Sequence, residues 1–529
     1  MESLPSTVLQ IILQHLLYDE HTACPTNRLD FWCLALTCKS LLNLASKKFG
    51  AHHHDRDNSL APCILWGADK AFKHQDGGLP HSITHLVLGD KYNQPIIKGA
   101  LPQSLLILTF GNEFNQMIAP DTLPDSITRL TFGVQPSTPP NLQILIYGIN
   151  GSLFNQPLQS GSLPRSLRDL SLGDMYSHAI SPGLLPNSMT RLALGRHFDR
   201  KLDDRALPHS LISLELGQNY HHAASLPSTI PALESLVLYE CNASNIQKLP
   251  PVTSLKIWHD LSSAITLPDT LTWLTLPHMY NNPNFSTQLA HIRSLAVLEF
   301  GNSFDQPINP GSLPSSLTSI HLGYQFNHMI IHGTLPSSLK SLEFSDRFNQ
   351  CIAPGVLPMS LTKLTMGFLF EQTLEPGALP SSLLELRFGT YSKYRQPFVA
   401  GTLPPSLKHL SLGSNYSEPI VSGALPDSLT YLKLSWQRTF LVCLPASIRN
   451  LLADSPEPVV ISEMAIAQSH IQWMLSHVPS VITFQVNIQL GLFGNMSFQY
   501  LLRRIDQSHA LWISRACPST RQRFIILSG

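Results

Sequence analysis

A sequence repeat of about 22 residues is the feature that most constrains the fold of this chain. The repeat is clearest in residues 311–352, where one pattern of leucine, proline and aromatic positions occurs twice in succession. The matching positions are Leu313 and Leu335, Leu317 and Leu339, Ile320 and Leu342, Leu322 and Phe344, and Phe326 and Phe348. A fixed period of about 20–50 residues is typical of stacked repeat architectures, so the chain is interpreted first as a solenoid.

Each unit predicts one short strand. It reads Leu-Pro-x-Ser-Leu-x-x-Leu-x-Leu-Gly-x-x-Phe-Asn-Gln-x-Ile, and the Leu-x-Leu core alternates so that its leucines share one side. Proline cannot donate to a β ladder and belongs before the strand, while the glycine after the strand is expected to permit the turn. A unit has no hairpin partner of its own, so its strand must pair with the next coil in a parallel sheet.

Residues 79–455 hold this repeat, and a connector precedes it. Leu-Pro pairs recur from Leu79 onward, mostly at intervals of about 22 residues, which predicts about eighteen units. The wider gaps, 123–163 and 267–313, are each expected to hold one unit that has lost its Leu-Pro pair. Residues 51–78 are interpreted as the connector, and the adjacent histidines within it as a solvated turn, because adjacent residues do not converge on one metal ion.

Beyond Pro456 the repeat stops and apolar residues fall at helical spacings. These positions are Met464, Ile471, Met474, Leu475, Phe498, Leu501, Leu502 and Ile505. Residues 456–529 are therefore predicted to form a helical cap, since a solenoid needs its open end covered. A separate binding module in this segment is the alternative.

Composition excludes several classes of function. Lys plus Arg and Asp plus Glu are both 35, which argues against a broad nucleic-acid or anionic-membrane surface. The 8 cysteines are scattered without a CxxC pair, as expected in a reducing compartment. No signal peptide and no apolar run of about 18 residues is present, so we expect a cytoplasmic protein without a membrane span.

The first 50 residues differ from the repeat and predict short helices. Leu9, Ile12, Leu13 and Leu16 form one stripe of an amphipathic helix. With the opening Leu-Pro pair and the run Leu-Ala-Leu-Thr-Cys-Lys-Ser-Leu at 34–41, residues 1–50 resemble an F-box, a helical motif that docks on the Skp-type adaptor of cullin–RING ubiquitin ligases. The resemblance implies adaptor contacts at Leu4, Pro5, Ile12, Leu13, Leu16, Cys38 and Lys39.

The N-terminal segment departs from the F-box pattern in two ways. The stretch between its first two helices is long, and leucines at 41 and 42 stand where an aromatic residue often follows the Cys-Lys pair. The alternative is a plain helical cap that covers the open edge of the first repeat.

The repeat itself resembles the FNIP repeat, which is related to leucine-rich repeats, over most of residues 79–445. The clearest matches are the Phe-Asn-Gln runs at Phe114, Phe154 and Phe348. The resemblance implies a leucine-rich-repeat-like solenoid. With the parallel β-sheet, the F-box-like segment and the helical spacings described above, the expected fold is this solenoid with a small all-α F-box-like N-terminus and a helical C-terminal cap. An asparagine column joins coils in leucine-rich repeats, so a scaffold role, rather than a binding role, is expected for Asn93, Asn115, Asn155, Asn327 and Asn349.

The residues beside and between the strand leucines differ from unit to unit. Alternation places the residue between two inward leucines on the solvent side, and at about 4.8 Å per coil these side chains form a ladder on the order of 80 Å long. Solenoids bind proteins on such extended surfaces, so we predict a target-binding face, with a merely solubilising face as the alternative. The predicted face comprises Arg129, Asp169, Arg191, Glu215, Trp273, Glu299, His321, Glu343, Lys363, Glu385, Arg387, His409, Tyr431 and Lys433.

No sequence motif indicates catalysis, a cofactor or a metal site. Gly-x-Ser-x-Gly, P-loop and His-Glu-x-x-His patterns are absent from the sequence, and we expect no enzyme activity and no cofactor. The predicted function is a protein-interaction adaptor, the substrate-recognition subunit of an SCF-type cullin–RING ubiquitin ligase. Its expected partners are a Skp-type adaptor and cullin, through the F-box-like motif, and an unknown target protein on the repeat face. The alternative is a repeat scaffold with no ligase link.

Overall fold

The computed structural model describes the repeat and short segments on either side of it. These are residues 83–133, 151–203, 205–222, 230–241, 249–261, 266–413, 415–435 and 447–455, the positions Leu79, Leu226 and Pro445, and the strand segments 63–66, 483–490, 496–504, 509–515 and 523–528. The F-box-like segment 1–50, with the predicted adaptor positions Leu4, Pro5, Ile12, Leu13, Leu16, Cys38 and Lys39, lies outside the described residues.

One sheet of 22 strands runs through the described residues. From β1 to β19 each strand pairs in parallel with the next strand along the chain, which confirms the predicted parallel solenoid. The strands are β1 (Cys63–Trp66), β2 (His85–Leu88), β3 (Ile107–Phe110), β4 (Arg129–Phe132), β5 (Asp169–Ser171), β6 (Arg191–Leu194), β7 (Ser213–Leu216), β8 (Ser235–Cys241), β9 (Ser254–Leu261), β10 (Trp273–Thr275), β11 (Val297–Glu299), β12 (Ser319–His321), β13 (Ser341–Glu343), β14 (Lys363–Met366), β15 (Glu385–Phe388), β16 (His409–Ser411), β17 (Tyr431–Ser435), β18 (Asn450–Ser455), β19 (Thr483–Leu490), β20 (Met496–Arg504), β21 (His509–Arg515) and β22 (Arg523–Ser528).

The repeat leucines form the interior. Ile320, Leu342 and Leu364 are register partners on β12, β13 and β14, and each is 1% exposed. Behind them the rings of Phe326 and Phe348 stack with centroids 6.3 Å apart. Burying one large apolar side chain contributes about 1.5–3 kcal/mol, whereas ordering each backbone residue costs about 1–2 kcal/mol. A single coil therefore cannot fold without its neighbours.

An asparagine column joins successive coils outside the sheet. The side-chain oxygen of Asn327 accepts the backbone N–H of Asn349 at 2.9 Å, and Asp305 accepts that of Asn327 in the same way at 3.1 Å. The bond to the next coil is also made by Asn93, Asn115, Asn155 and Asn349. The inter-coil role implied for these asparagines is confirmed.

The serine of the Leu-Pro-x-Ser-Leu run forms a second column. The Ser338 hydroxyl donates to the carbonyl of Leu317 at 2.6 Å, and the Ser360 hydroxyl donates to that of Leu339 at 2.6 Å. Because each bond reaches the preceding coil, it replaces a solvated carbonyl with an internal contact. This serine is a structural residue that the reasoning from sequence missed, although its recurrence at one position of the unit is a signal of such a role.

The repeat has two glycine positions, one after the strand and one before the Leu-Pro pair, and their structural roles differ. A Cβ at Gly323, directly after a strand, would fall on the backbone carbonyl of Gly301 in the preceding coil, so this glycine permits close approach of the coils. The left-handed backbone lies instead at the glycine before the Leu-Pro pair, as at Gly333 with φ 82°. The turn conformation expected at the glycine after the strand is therefore corrected for Gly323.

The gap 267–313 holds the extra unit that is predicted there. Helix α1 (Phe285–Leu289) precedes β11, which pairs on either side with β10 and β12. The Phe285 ring packs edge-on against the ring of Phe304, with centroids 5.2 Å apart, and so anchors the helix to the interior of the solenoid.

No helix among the described residues has the length and apolarity of a membrane span.

The gap 123–163 does not hold the extra unit that is predicted there. β4 pairs directly with β5, with Leu130 opposite Leu170, so no strand lies between them. The Phe154 ring stacks 6.1 Å from the Phe114 ring and takes the aromatic position of the coil that contains β4. The expectation of an extra unit here is wrong, because direct pairing of the two strands leaves no place for another.

The sheet begins before the first Leu-Pro pair. β1 lies in the segment 51–78, predicted to be a connector, and pairs with β2 so that Ile64 stands opposite Leu86. Its four residues lack the preceding Leu-Pro pair, so the repeat pattern marks them only through Gly67, which follows β1 as Gly89 follows β2. The connector interpretation is corrected for this strand.

The C-terminal segment contains strands where helices are predicted. β19 continues the parallel sheet beside β18, and β20, β21 and β22 follow as antiparallel strands. Phe498, Leu501 and Leu502 lie in β20, so the predicted helix is wrong there. Residues 496–500 also alternate apolar and polar, a strand period, and antiparallel neighbours satisfy their backbone. Other predicted helix positions lie outside the described residues, namely Met464, Ile471, Met474, Leu475 and Ile505.

Candidate functional site

The predicted target-binding residues lie on the outward side of the sheet, in two neighbouring columns. The first column holds the residue before the inward leucine, and includes Arg129, Asp169, Arg191, Trp273, Lys363, Glu385, His409 and Tyr431. The second column holds the residue that follows this leucine, and includes Glu215, Glu299, His321, Glu343, Arg387 and Lys433. Parallel pairing in register brings each residue beside its counterpart on the next coil.

At β4 to β6 the first column forms a three-residue charge cluster. The carboxylate of Asp169 lies 3.0 Å from Arg129 Nε and 3.7 Å from Arg191 Nη1. Both arginines are mostly exposed, so each pair stabilises the fold by no more than about 1 kcal/mol. The register therefore orders opposite charges along the face.

A second cluster, at β14 and β15, has a buried centre. Glu385 is 9% exposed and pairs with Lys363 at 3.7 Å and with Arg387 on its own strand. The prediction that Glu385 faces solvent is thus corrected, because the two long cationic side chains cover it. Only those cations remain accessible to a partner at this point of the face.

Between these clusters lies a histidine–carboxylate pair. His321 Nδ1 is 3.0 Å from Glu343 Oε2. Burial by itself lowers the pKa of His321, but the hydrogen bond and charge of Glu343 outweigh it and raise that pKa above its ordinary value of 6.5. The hydrogen bond from His321 lowers the pKa of Glu343 in turn. Farther along, the rings of His409 and Tyr431 meet edge-on at 5.7 Å.

The middle of the face carries an aromatic cluster that sequence reasoning missed in part. The ammonium of Lys256 lies 3.9 Å from the centre of the Trp258 ring, and the His278 ring stacks on the same indole at 6.3 Å. Desolvation lowers the pKa of Lys256 and also that of His278. The available signal was the sequence of β9, where Trp258 stands in place of the glycine that follows the strand in most units.

Predicted face residues surround this cluster. The Trp273 indole N–H donates to the Thr275 hydroxyl at 3.3 Å, and that hydroxyl donates to Glu299 at 2.9 Å. Trp273 is 45% exposed, so its ring is open to a partner. Desolvation raises the pKa of Glu215, and the charges of Lys256 and Arg191 offset part of the rise.

The arrangement is suited to binding a partner. Opposite charges lie side by side at several places along the columns, and the central tryptophans offer flat apolar surface of the kind enriched at interface hot spots. Among the described residues, no group of three or more histidine, cysteine or carboxylate side chains is placed to hold a metal ion.

The comparisons with known proteins concern the repeat. The FNIP Repeat family matches residues 74–113, 154–197, 176–219, 293–325, 326–369, 354–391 and 394–436. No curated protein matches the chain. The segments matched by the family fall on the coils whose strands form the parallel sheet.

One of the solved structures that the chain resembles is described as a leucine-rich-repeat protein. CroV588, described as a novel circular LRR protein structure, is 33% identical with a TM-score of 0.54, and the match covers 79% of this chain and 58% of that chain. The chain therefore spans less than two thirds of CroV588. TLR13 in complex with ssRNA13 is 14% identical with a TM-score of 0.45, covering 75% of this chain and 58% of that one. The functional domain of InlJ from Listeria monocytogenes is 12% identical with a TM-score of 0.30, covering 85% and 86%.

Proposed function

This chain is a leucine-rich-repeat-like protein built from FNIP repeats, and we propose that it is a protein-interaction adaptor whose outward sheet face holds a target protein. The observation that carries the proposal is the unbroken parallel sheet, which sets variable side chains side by side over successive coils. A solenoid of this kind recognises an extended surface because its coils form one rigid body.

The aromatic cluster around Trp258 and Trp273 supports a binding role for the middle of the face. Tryptophan side chains at the centre of a contact commonly supply most of the binding energy, and charged pairs around them give specificity. The alternating charges beside the cluster favour a protein partner of mixed charge. They give no support to a polyanion, which requires a continuous positive surface.

The finer proposal is that the adaptor serves a cullin–RING ubiquitin ligase. It rests on the F-box-like residues Leu4, Pro5, Ile12, Leu13, Leu16, Cys38 and Lys39. In this mechanism the N-terminal motif binds a Skp-type adaptor, which carries cullin, while the repeat face holds the target. Two binding sites on one chain raise the effective concentration of the target near the ubiquitin-loaded partner. This mechanism requires no covalent chemistry from the chain itself.

Co-purification with a Skp-type adaptor tests the ligase link. The full chain is expected to retain the adaptor, and a variant with Leu4→Ala, Pro5→Ala and Ile12→Ala is expected to lose it. A wild-type chain that retains no adaptor removes the ligase proposal and leaves the protein-binding proposal in place.

Partner sets from cells test the binding face itself. Trp273→Ala is expected to remove a defined subset of the partners that the wild-type chain retains, whereas Lys98→Ala, at an exposed side chain outside the sheet face, is expected to keep them. Identical partner sets for all three proteins contradict the assignment of target binding to this face.

A repeat scaffold without a ligase link is the second candidate. It is favoured by the position of β1, which extends the parallel sheet toward the N-terminus. The outer edge of a sheet needs cover, and N-terminal residues that supply this cover need no adaptor partner.

A further inference from the structure

A row of exposed aromatic and cationic side chains follows strands β12 to β15, on the turns beside the sheet. We call this row the turn edge, and it comprises Tyr324, Arg347, Phe368, Tyr391, Lys393 and Arg395. Tyr324, Phe368 and Tyr391 are 45%, 37% and 56% exposed, respectively. The turn edge is distinct from the outward sheet face, because its residues come after the strands have ended.

Aromatic and cationic residues alternate from coil to coil in this row. The Arg347 guanidinium lies 5.6 Å from the centre of the Tyr324 ring, one coil before it. Two coils farther on, the Lys393 ammonium lies 5.8 Å from the centre of the Phe368 ring. Both distances are within the range of a cation–π contact. The turn edge thus contains two pairs of the same kind, each formed by an aromatic ring and a cation on the next coil.

The backbone fixes both pairs. The N–H of Arg347 donates to the carbonyl of Tyr324 at 3.2 Å, and the N–H of Lys393 donates to the carbonyl of Phe368 at 2.8 Å. These bonds belong to the regular contacts between successive turns, so the placement of each cation follows from the solenoid. The backbone positions that carry these side chains are therefore preorganised, which lowers the entropy cost of binding.

A recess of about 520 Å³ opens at the second pair. It is lined by Phe368, Glu371, Lys393, Arg395, Gln396 and Asn415. The side-chain amides of Gln396 and Asn415 are engaged within the chain. Gln396 Nε2 donates to the carbonyl of Glu371 at 3.0 Å, and Asn415 Nδ2 donates to the carbonyl of Tyr391 at 2.9 Å. An aromatic ring and two cations remain as its recognition groups, with one carboxylate beside them.

The cations of the turn edge differ from those of the outward sheet face. On the face, Arg129, Arg191, Lys363 and Arg387 each pair with a carboxylate of the chain. At the turn edge, Arg347, Lys393 and Arg395 form no ion pair with any residue that the structure describes. A partner with carboxylates would supply the missing counter-charges, and charge complementarity of this kind steers association and gives specificity.

The spacing fits an extended peptide. Arg347 and Lys393 are two coils apart, about 10 Å at the usual separation of strands. An extended or polyproline-type segment rises about 3.1–3.4 Å per residue, so residues three positions apart span about the same distance. A nucleic-acid strand fits less well, because Asp346 and Glu371 interrupt the row and oppose a continuous line of phosphates.

We propose that the turn edge binds an acidic segment of a partner protein, with carboxylates about three residues apart on Arg347 and Lys393 and an apolar side chain on Phe368. Arg395 holds a further carboxylate at the recess. The inference rests on the proposed function, since it names the kind of protein segment that the adaptor recognises.

Selection from a random peptide library tests the proposal without a known partner. Sixteen-residue peptides displayed on phage are selected against the full chain, and the enriched pool is expected to carry a clear excess of Asp and Glu over the starting pool. A pool without acidic excess overturns the proposal. This outcome leaves adaptor co-purification untouched, so failure here and failure of the ligase link are distinguishable.

Affinity measurements on one selected acidic peptide locate its site. Fluorescence anisotropy with Lys393→Glu and with Arg347→Glu is expected to show affinity weakened about tenfold or more, as for loss of a charged contact. Lys393→Gln, which removes the charge without adding repulsion, is expected to weaken affinity in the same direction. The control is Arg196→Glu, an exposed cation on the corresponding turn of the first half of the array, one position earlier in its unit than Arg347 and with Asp174, rather than an aromatic residue, at the same position one coil before.

Equal weakening by the Arg196 variant, or no weakening by the Lys393 and Arg347 variants, overturns the assignment to the turn edge. Tighter binding of single-stranded oligouridylate than of the peptide overturns the choice of a protein partner. A thermal melt of each variant shows that the fold is retained before affinities are compared.

Discussion

The inward and outward sides of each strand differ in how much their residues vary from coil to coil. On the inward side, Leu342 on β13 and Leu364 on β14 are both leucine, are register partners and are each 1% exposed. On the outward side, the residues that follow them, Glu343 and Thr365, differ. Close packing allows little change in volume, whereas a solvated position accepts many side chains. Repetition along this chain therefore marks the residues that hold the coils together, and variation marks those free to contact a partner.

The largest effect is expected on the inward side. Leu342→Ala should lower the free energy of unfolding by about 2–5 kcal/mol, because Leu342 is 1% exposed and its removal leaves a cavity between coils. Denaturant unfolding monitored by circular dichroism measures the change. The matched control is Leu342→Ile, which keeps the volume and should cost less than about 1.5 kcal/mol. A loss below 1 kcal/mol for the alanine variant would contradict the shared interior.

The inward side is the part of the molecule that the sequence predicts best. The spacing of Ile320, Leu322 and Phe326 places all three in the interior, where each is at most 1% exposed. The prediction of interior residues succeeds because one pattern is repeated many times, so the interior positions of an ambiguous unit are assigned by comparison with neighbouring units. The pattern fails where it is not repeated, as in β1 and β20, since a short apolar run fits either a strand or a helix.

The outward side is predictable only in part. The strand register follows from the repeat, so the columns that contain Glu215 and Trp273 are assigned correctly to one side of the sheet. Contacts between side chains depend on their lengths and neighbours, which the period does not encode. Glu385 is covered by two cations for that reason, and Trp258 belongs to the face because β9 extends beyond the usual strand.

A middle-sized effect is expected at the asparagine column, which repeats like the interior but lies at the surface. Asn327→Ala should cost about 1 kcal/mol, because it removes the acceptor of the Asn349 backbone N–H and of the Gln350 amide. Asn302→Ala is the matched control, since Asn302 contacts the next coil through its backbone carbonyl, which alanine keeps. Equal losses for the two variants would remove the special role of the column.

The histidine–carboxylate pair on the outward side should give a small, pH-dependent effect. The pKa of His321 is raised, so its contribution is complete below 6.5 and disappears as pH rises through the raised value. The pKa of Glu343 is lowered, so its contribution is complete above 4.5 and disappears as pH falls through the lowered value. The pair therefore stabilises most between pH 4.5 and 6.5.

Melting temperatures at two pH values measure this effect. His321→Gln should be less stable than the wild type at about pH 5.5, by less than about 1 kcal/mol because both groups are partly exposed. The difference should shrink as pH rises through the raised pKa of His321 and vanish once the histidine is neutral. A difference that grows with pH would show that the neutral form of the histidine, rather than the charged form, holds the contact.

The smallest effect is expected at Glu343, next to Leu342 on the same strand. Glu343→Ala should change the free energy of unfolding by no more than about 0.5 kcal/mol at a pH well above the raised pKa of His321, because Glu343 fills no interior space and the neutral histidine forms no ion pair with it. The side chain of Glu343 is 50% exposed, so water replaces its contacts. Denaturant unfolding of Glu343→Ala and Leu342→Ala under one set of conditions compares the two sides of β13 directly. A larger loss at Glu343 than at Leu342 would mean that the sheet faces the opposite way, and the target-binding columns would then have to lie among the leucines.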